Sequence, residues 1–114
     1  MVNYSPARLD LVFSALSHPI RRGILEYLAK GGASIKDLAA PYRISLPGFL
    51  KHVGILEEAG LIETKKQGRV RTCRLNATPM LDAAQWLSYY EAFWTGQLDA
   101  LDEYLTKDDV SLND

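Results

Sequence analysis

The sequence is poor in cysteine and has no long apolar segment. Cys73 is the one cysteine among 114 residues, which excludes an internal disulfide and any Cys-x-Cys or Cys-x-x-Cys metal motif. No apolar run approaches the roughly 20 residues that a membrane-spanning helix needs. The first ten residues also lack the pattern of a signal peptide. We therefore expect a protein of the reducing cytoplasm that does not enter a membrane.

Residues that bind metals or catalyse reactions are also sparse. His18 and His52 are far apart in the sequence, and no histidine follows His52. Ser45 and His52 share one predicted helix, where each has a structural role, and no glycine-rich phosphate loop is present. The sequence therefore predicts no metal site, no cofactor and no enzymatic activity. For Cys73, a lone thiol switch remains an alternative to an inert, half-buried residue.

The net charge of −1 is small, but the charges are unevenly distributed. Residues 21–74 contain eleven Lys/Arg against five Asp/Glu, whereas residues 77–114 contain one Lys against eight Asp/Glu. A basic middle and an acidic C-terminal part indicate two surfaces with different partners. Chance clustering on solvated faces is the alternative.

Capping residues and apolar spacing mark the helices. Ser5 and Pro6 begin a helix over residues 5–17, and Pro19 begins a second one. A helix–turn–helix is predicted over residues 34–60 because two serines in this range each precede a helical pattern.

After Gly60, the spacing of the apolar residues no longer fits a helix. Alternating β-branched and polar residues around Gly68 predict a hairpin over residues 61–75, with strands at about 61–66 and 70–75. Thr78-Pro79 then opens a long helix over residues 79–106. This order predicts a mainly α fold with a β-hairpin wing, a winged helix–turn–helix, in which residues 1–114 form a single DNA-binding domain.

The second helix of the helix–turn–helix has an unusual outer face. Its apolar spacing buries Phe49, Val53 and Leu56. The opposite side carries short or apolar side chains around one cation: Pro47, Leu50, Lys51 and Gly54. Such a face suits the major groove, where Lys51 reaches a phosphate or a guanine edge and Leu50 reaches a thymine methyl. In the alternative interpretation, Leu50 packs on the preceding helix.

The hairpin carries many cations close to its turn. Like charges repel each other across paired strands. So many cations close together are easier to explain if a phosphate backbone lies near the hairpin and offsets this repulsion. Arg69, next to Gly68, is placed to reach a minor groove. A solvated basic loop is the alternative.

The predicted last helix favours a dimer. It would be about 42 Å long at 1.5 Å per residue, longer than the roughly 34 Å diameter of a compact chain of this size. It is apolar along its length, so we expect a second copy and the first helix to cover it; the alternative is that it bends back onto its own core. The predicted interface residues are Leu9, Val12, Phe13, Leu16, Trp86, Leu87, Tyr90, Phe93, Trp94, Leu98, Leu101 and Leu105.

Several motifs occur together in the order of a known family. HPIRRGIL, SLPGFLKH, LEEAGLI and GRVRTCRLN resemble segments of the winged-helix repressors of the ArsR family. The later run W-L-x-x-Y-x-x-F-W resembles one branch of that family, and the resemblance covers about residues 10–105. Leu50 and Gly54 differ from the small polar and basic residues that related chains often carry at these positions.

The resemblance implies a dimeric bacterial DNA-binding repressor from a branch without the metal-binding cysteines. We expect a homodimer that binds double-stranded DNA at an inverted repeat, with the first and last helices forming the dimer interface. A winged-helix module that binds protein instead of DNA is the alternative, and the inducer is unknown. Residue pattern and resemblance together predict DNA contacts from Ser34, Ser45, Leu46, Pro47, Leu50, Lys51, His52, Lys65, Lys66, Gln67, Arg69 and Arg71.

Overall fold

The computed structural model describes residues 6–113, with side chains over residues 6–106. The described residues form two compact units, one ending at Ala83 and the other beginning at Ala84. The elements are α1 (Pro6–Leu16), α2 (Pro19–Leu28), β1 (Ala33–Ser34), α3 (Ile35–Ala39), α4 (Leu46–Glu58), β2 (Ile62–Gln67), β3 (Val70–Leu75), α5 (Met80–Ser88) and α6 (Glu91–Asn113).

The predicted fold class, a mainly α winged helix–turn–helix, is confirmed. Helices α3 and α4 are the two helices of the helix–turn–helix, and strands β2 and β3 form the hairpin, which we call the wing. Within the described part of the chain, no helix combines the length and apolar character needed to cross a bilayer.

Two serine caps set the helix–turn–helix. The Ser34 hydroxyl oxygen accepts a hydrogen bond of 3.1 Å from the Asp37 backbone N–H, and Ser45 accepts one of 3.1 Å from Gly48. Each cap satisfies a backbone donor that the first turn of a helix otherwise leaves unpaired. Both caps were predicted from the sequence, whereas the predicted cap at Ser5 lies outside the described residues.

The core of the first unit is built around the predicted stripe of α4. Phe49, Val53 and Leu56 are at most 1% exposed. Their spacing places them on one side of the helix, where they contribute to a single hydrophobic cluster with residues of α2, α3 and the sheet. Other members of this cluster are Ile24, Leu25, Leu28, Ile35, Leu38, Leu61, Ile62 and Cys73.

The sheet has three antiparallel strands in the order β1-β3-β2. The two predicted hairpin strands are confirmed, and they are joined by a two-residue turn in which Gly68 has φ +62°. The sequence did not predict β1, in which Ala33 pairs with Cys73 and Ser34 with Thr72. Two residues are too few to show the alternation that identifies a strand.

The predicted single helix over residues 79–106 is wrong. The structure has two helices there, α5 and α6, separated at Tyr89 and Tyr90. The N–H groups of these two residues donate to the carbonyls of Trp86 and Leu87, three positions earlier, at 3.3 and 3.0 Å. The sequence has no glycine or proline at this tightened turn, and its apolar periodicity continues through Tyr89 and Tyr90. The periodicity therefore predicted one helix where the structure has two.

Two glycines offer a matched test of this backbone. Gly60 has φ +74°, so Gly60→Ala should lower the free energy of unfolding by about 1–2 kcal/mol through the strain of the left-handed conformation. Gly54 lies inside α4 with open space around it, so Gly54→Ala should raise that free energy by about 0.5–1 kcal/mol. Urea denaturation measures both, and equal effects of the two substitutions would contradict the described geometry.

Candidate nucleic-acid interface

Helix α4 presents one face to solvent. Pro47, Lys51 and Gly54 are exposed, and a Cβ added at Gly54 would meet no heavy atom within 4 Å. Leu50 is different, because it is half-buried and packs against the core. Leu50 therefore agrees in part with the alternative interpretation, in which its side chain packs inward. The part of Leu50 that remains exposed is smaller than the sequence suggested.

The starts of α3 and α4 and the tip of the wing line one open depression of about 360 Å³. Its apolar lining is well exposed at Leu46 and Val70, with exposed fractions of 56% and 54%. Five residues predicted to contact DNA meet here. The full lining is Ser34, Ile35, Lys36, Leu46, Leu50, Arg69, Val70 and Arg71.

Lys36 and Val70 belong to this depression although they were not among the predicted site residues. Lys36 follows the capping residue Ser34 by two positions, so its place near the start of α3 was available as a signal in the sequence. Val70 follows the Gly68-Arg69 turn and carries no charge, which is why charge patterning did not identify it.

The cations of the wing are divided between its two faces. Lys65 and Gln67 line a second depression of about 570 Å³ that also contains Glu63 and Arg74. Successive residues of a strand point to opposite faces, so Lys66 lies on the other side of β2. The dense cationic cluster expected from the sequence is therefore two smaller groups, separated by the sheet.

Arg71 has a partner inside the protein that the sequence did not indicate, and its contact with DNA stays a prediction. Its guanidinium donates to Glu57 at 2.9 Å, and the Thr64 hydroxyl donates to the second oxygen of the same carboxylate at 3.2 Å. Glu57 lies on α4, so these bonds attach the wing to that helix. The sequence carried no signal for this pairing, because Glu57 and Arg71 are in different elements.

His52 also has a role inside the protein, and its contact with DNA stays a prediction. Its Nδ1 accepts a hydrogen bond of 2.9 Å from Arg21 of α2, and its ring lies 4.4 Å from the His18 ring, measured between centroids. Burial lowers the pKa of His52 below its usual value, and the charges of His18 and Arg21 lower it further. His18 itself caps α2 by accepting from the Ile20 N–H.

No metal centre emerges from the described residues, since none of them form a group of three His, Cys, Asp or Glu side chains able to hold an ion. Cys73 is fully buried in β3. Burial raises the pKa of its thiol, which keeps it protonated and weakly reactive near neutral pH.

The residues predicted for the dimer interface fall into two groups. Leu9 and Val12 of α1 are 8% and 0% exposed, so they lie in the interior of the single chain. Phe13 and Leu16 are half-buried, as is Trp86. The remaining predicted residues are exposed: Leu87, Tyr90, Phe93, Trp94, Leu98, Leu101 and Leu105.

Comparison with known proteins decides the family. Residues 16–65 match the model of a helix-turn-helix domain. The chain is 36% identical over 79 residues to the transcriptional repressor SdpR of Bacillus subtilis, covering 69% of this chain and 88% of SdpR. It is also similar to a crystal structure of an ArsR family transcriptional regulator, with a TM-score of 0.76, 41% identity and coverage of 83% of this chain and 97% of that one. The chain belongs to the ArsR family.

A further ArsR-type structure, from Rhodococcus sp. RHA1, matches with a TM-score of 0.63 and 32% identity over 85% of this chain and 92% of that chain. These relatives are transcriptional regulators and not enzymes. Together with the winged helix–turn–helix, they identify this ArsR family member as a DNA-binding transcriptional regulator.

The lowered pKa of His52 predicts how stability depends on pH. The folded chain binds this proton more weakly than the unfolded chain, so the contribution of His52 is present above about pH 6.5 and is lost as the pH falls below it. The free energy of unfolding should therefore decrease between about pH 7.5 and about pH 5.5, as measured by urea denaturation. His52→Asn should reduce that decrease, and an unchanged pH dependence in this variant would contradict the assignment.

Proposed function

We propose that the chain is a repressor that binds an inverted-repeat operator as a homodimer and blocks transcription by occupying it. Helix α4 acts as the recognition helix in the major groove, and Arg69 of the wing lies along the neighbouring backbone or minor groove. The two recognition helices of the dimer read half-sites about 34–36 Å apart, which is one turn of the duplex.

One observation carries the DNA-binding part of the proposal. The exposed face of α4, with Pro47, Lys51 and Gly54, adjoins the turn in which Ser45 caps the helix. Backbone N–H groups at a helix start favour an anion, and short side chains let the helix backbone approach base edges. Lys51 supplies a cation on this face, while Arg69 supplies another at the wing tip.

The dimer part of the proposal rests on α6. From Glu91 to Thr106, every residue of this helix is exposed in the single chain. Phe93 is 71% exposed and Trp94 44%, and exposed apolar residues recur along the helix at Leu98, Leu101 and Leu105. Large contiguous apolar surfaces mark interaction sites, and a second copy of α6 offers a matching one. Among the predicted interface residues of α1, Phe13 and Leu16 are half-buried and add surface to it.

Lys51→Ala and Arg69→Ala should each weaken binding to an operator duplex and reduce the slope of log affinity against log salt by about one, because each removes a cation that neutralises a phosphate. If Lys51 reads a base, its substitution should also relax sequence preference by about 1–3 kcal/mol at one position. Fluorescence anisotropy at several salt concentrations measures these effects.

Lys30→Ala is the charge-matched control, since Lys30 lines a separate depression with Tyr27, Gly31 and Gly32. An equal loss of affinity in this control would assign the effect to net charge alone. Binding that is unaffected at both Lys51 and Arg69 would contradict the proposed interface.

Trp94→Ala should lower dimer stability and operator affinity together, because it removes one of the large exposed side chains that a second copy would cover. Sedimentation equilibrium measures the dimer constant. Thr95→Ala, at the next exposed position of α6, is the control and should leave both quantities unchanged. A Trp94→Ala dimer of full stability would contradict the proposed interface.

A further inference from the structure

Arg21 is a charged side chain in an interior position. Among the described residues it is the one charged side chain that is more than nine-tenths buried, with 7% exposed. Its Nε donates to the Ala15 carbonyl at 2.8 Å, and one terminal nitrogen donates to the Ser14 carbonyl at 3.0 Å. The guanidinium therefore binds the last turn of α1, where helix carbonyls lack partners within the helix.

The other terminal nitrogen of Arg21 faces Nδ1 of His52 at 2.9 Å. A guanidinium has no acceptor, so Nδ1 must accept and the neutral ring carries its proton on Nε2. Arg21 thus joins the end of α1 to α4 through a single side chain. His52 directly follows Lys51, a residue of the proposed recognition face.

A proton on His52 would be unfavourable in this setting. A protonated imidazole donates from both nitrogens, so the bond from Arg21 could not form, and two cations would face each other. The titratable and charged groups that act on the ring are Arg21 from α2 and His18 from the cap of α2. The end of α1 contributes only neutral groups, through the Ser14 and Ala15 carbonyls and, at 3.4 Å from Arg21, the Ser17 hydroxyl.

We propose that Arg21 and His52 form a proton-sensitive latch that positions α4 against the end of α1, and that a proton on His52 releases α4 and weakens DNA binding. The proposal rests on the proposed function, in which α4 is the recognition helix. His52 is a positioning residue here, since it acts through the orientation of α4 and not through a contact with the duplex.

The direction of the pH effect distinguishes the latch from ordinary electrostatics. An added proton near DNA raises the positive charge of the protein and strengthens its binding to phosphates. Release of α4 has the opposite effect, because it lowers the fraction of chains whose recognition face is correctly oriented. A loss of affinity on acidification is therefore the signature of the latch.

The test measures affinity for a duplex that the protein itself has enriched from a random pool at about pH 7.5. Wild-type affinity should fall several-fold between about pH 7.5 and about pH 5, approaching tenfold per pH unit below the pKa of His52. His52→Asn places an amide oxygen near the position of Nδ1, so it retains the acceptor for Arg21 but cannot take up a proton. Compared with its own affinity at about pH 7.5, this variant should show no loss of binding at lower pH.

His18→Asn is the matched control, because asparagine is a favourable helix cap and removes the second histidine. It should keep the loss of affinity at low pH. Circular dichroism at both pH values confirms that each variant is folded. Wild-type binding that is equal or tighter at low pH, or the same loss in His52→Asn, would overturn the latch.

A measurement on the unmodified chain makes the test independent of the variants. The sequence has two histidines, so their ring signals are readily separated by NMR. Amide shifts along α4 should follow the titration of His52, and shifts that do not follow it would overturn the latch. If no duplex is bound at about pH 7.5, the proposed function fails and the latch fails with it. If the duplex is bound at about pH 7.5 and the affinity does not change on acidification, the latch is overturned and the proposed function stands.

Discussion

The rotation of α4 about its own axis is the constraint on which the rest of the site depends. Phe49, Val53 and Leu56 are buried almost completely, and truncating a large core side chain costs about 2–5 kcal/mol. Rotating α4 to expose these side chains would cost more free energy than a surface contact could supply. Packing on the opposite side therefore keeps the side that carries Lys51 and Gly54 toward solvent before any DNA is present, whereas the proposed latch acts on the tilt of α4 against the end of α1.

Polar contacts then fix the wing and the end of α1 relative to this helix. Glu57 on α4 binds Arg71 and Thr64 of the wing, and the Asn76 amide donates to the Gly60 carbonyl where α4 leads into β2. On the other side, Arg21 connects His52 to α1. Several charged residues near the candidate interface thus serve the architecture, while the exposed cations of α4 and the wing tip include Lys51, Lys65, Lys66 and Arg69.

The sequence predicted well the features that depend on interactions between neighbouring residues. The serine caps of α3 and α4, the buried stripe of α4 and the glycine turn of the wing each depend on a few neighbouring residues, and the structure contains these features. Contacts between distant elements could not be predicted in this way. The partners of Arg71 and His52 come from other elements, and the burial of Leu9 and Val12 depends on tertiary packing. The break between α5 and α6 at Tyr89 and Tyr90 contains no glycine or proline, so the sequence did not indicate it.

The central claim is that the packing of α4 presents one specific face to a duplex. Amide chemical shifts recorded during titration with an operator duplex test this claim residue by residue. The account predicts the largest changes over residues 45–54 and 67–70, with small changes along α6. Changes concentrated on α6, or spread evenly over the protein surface, would contradict it.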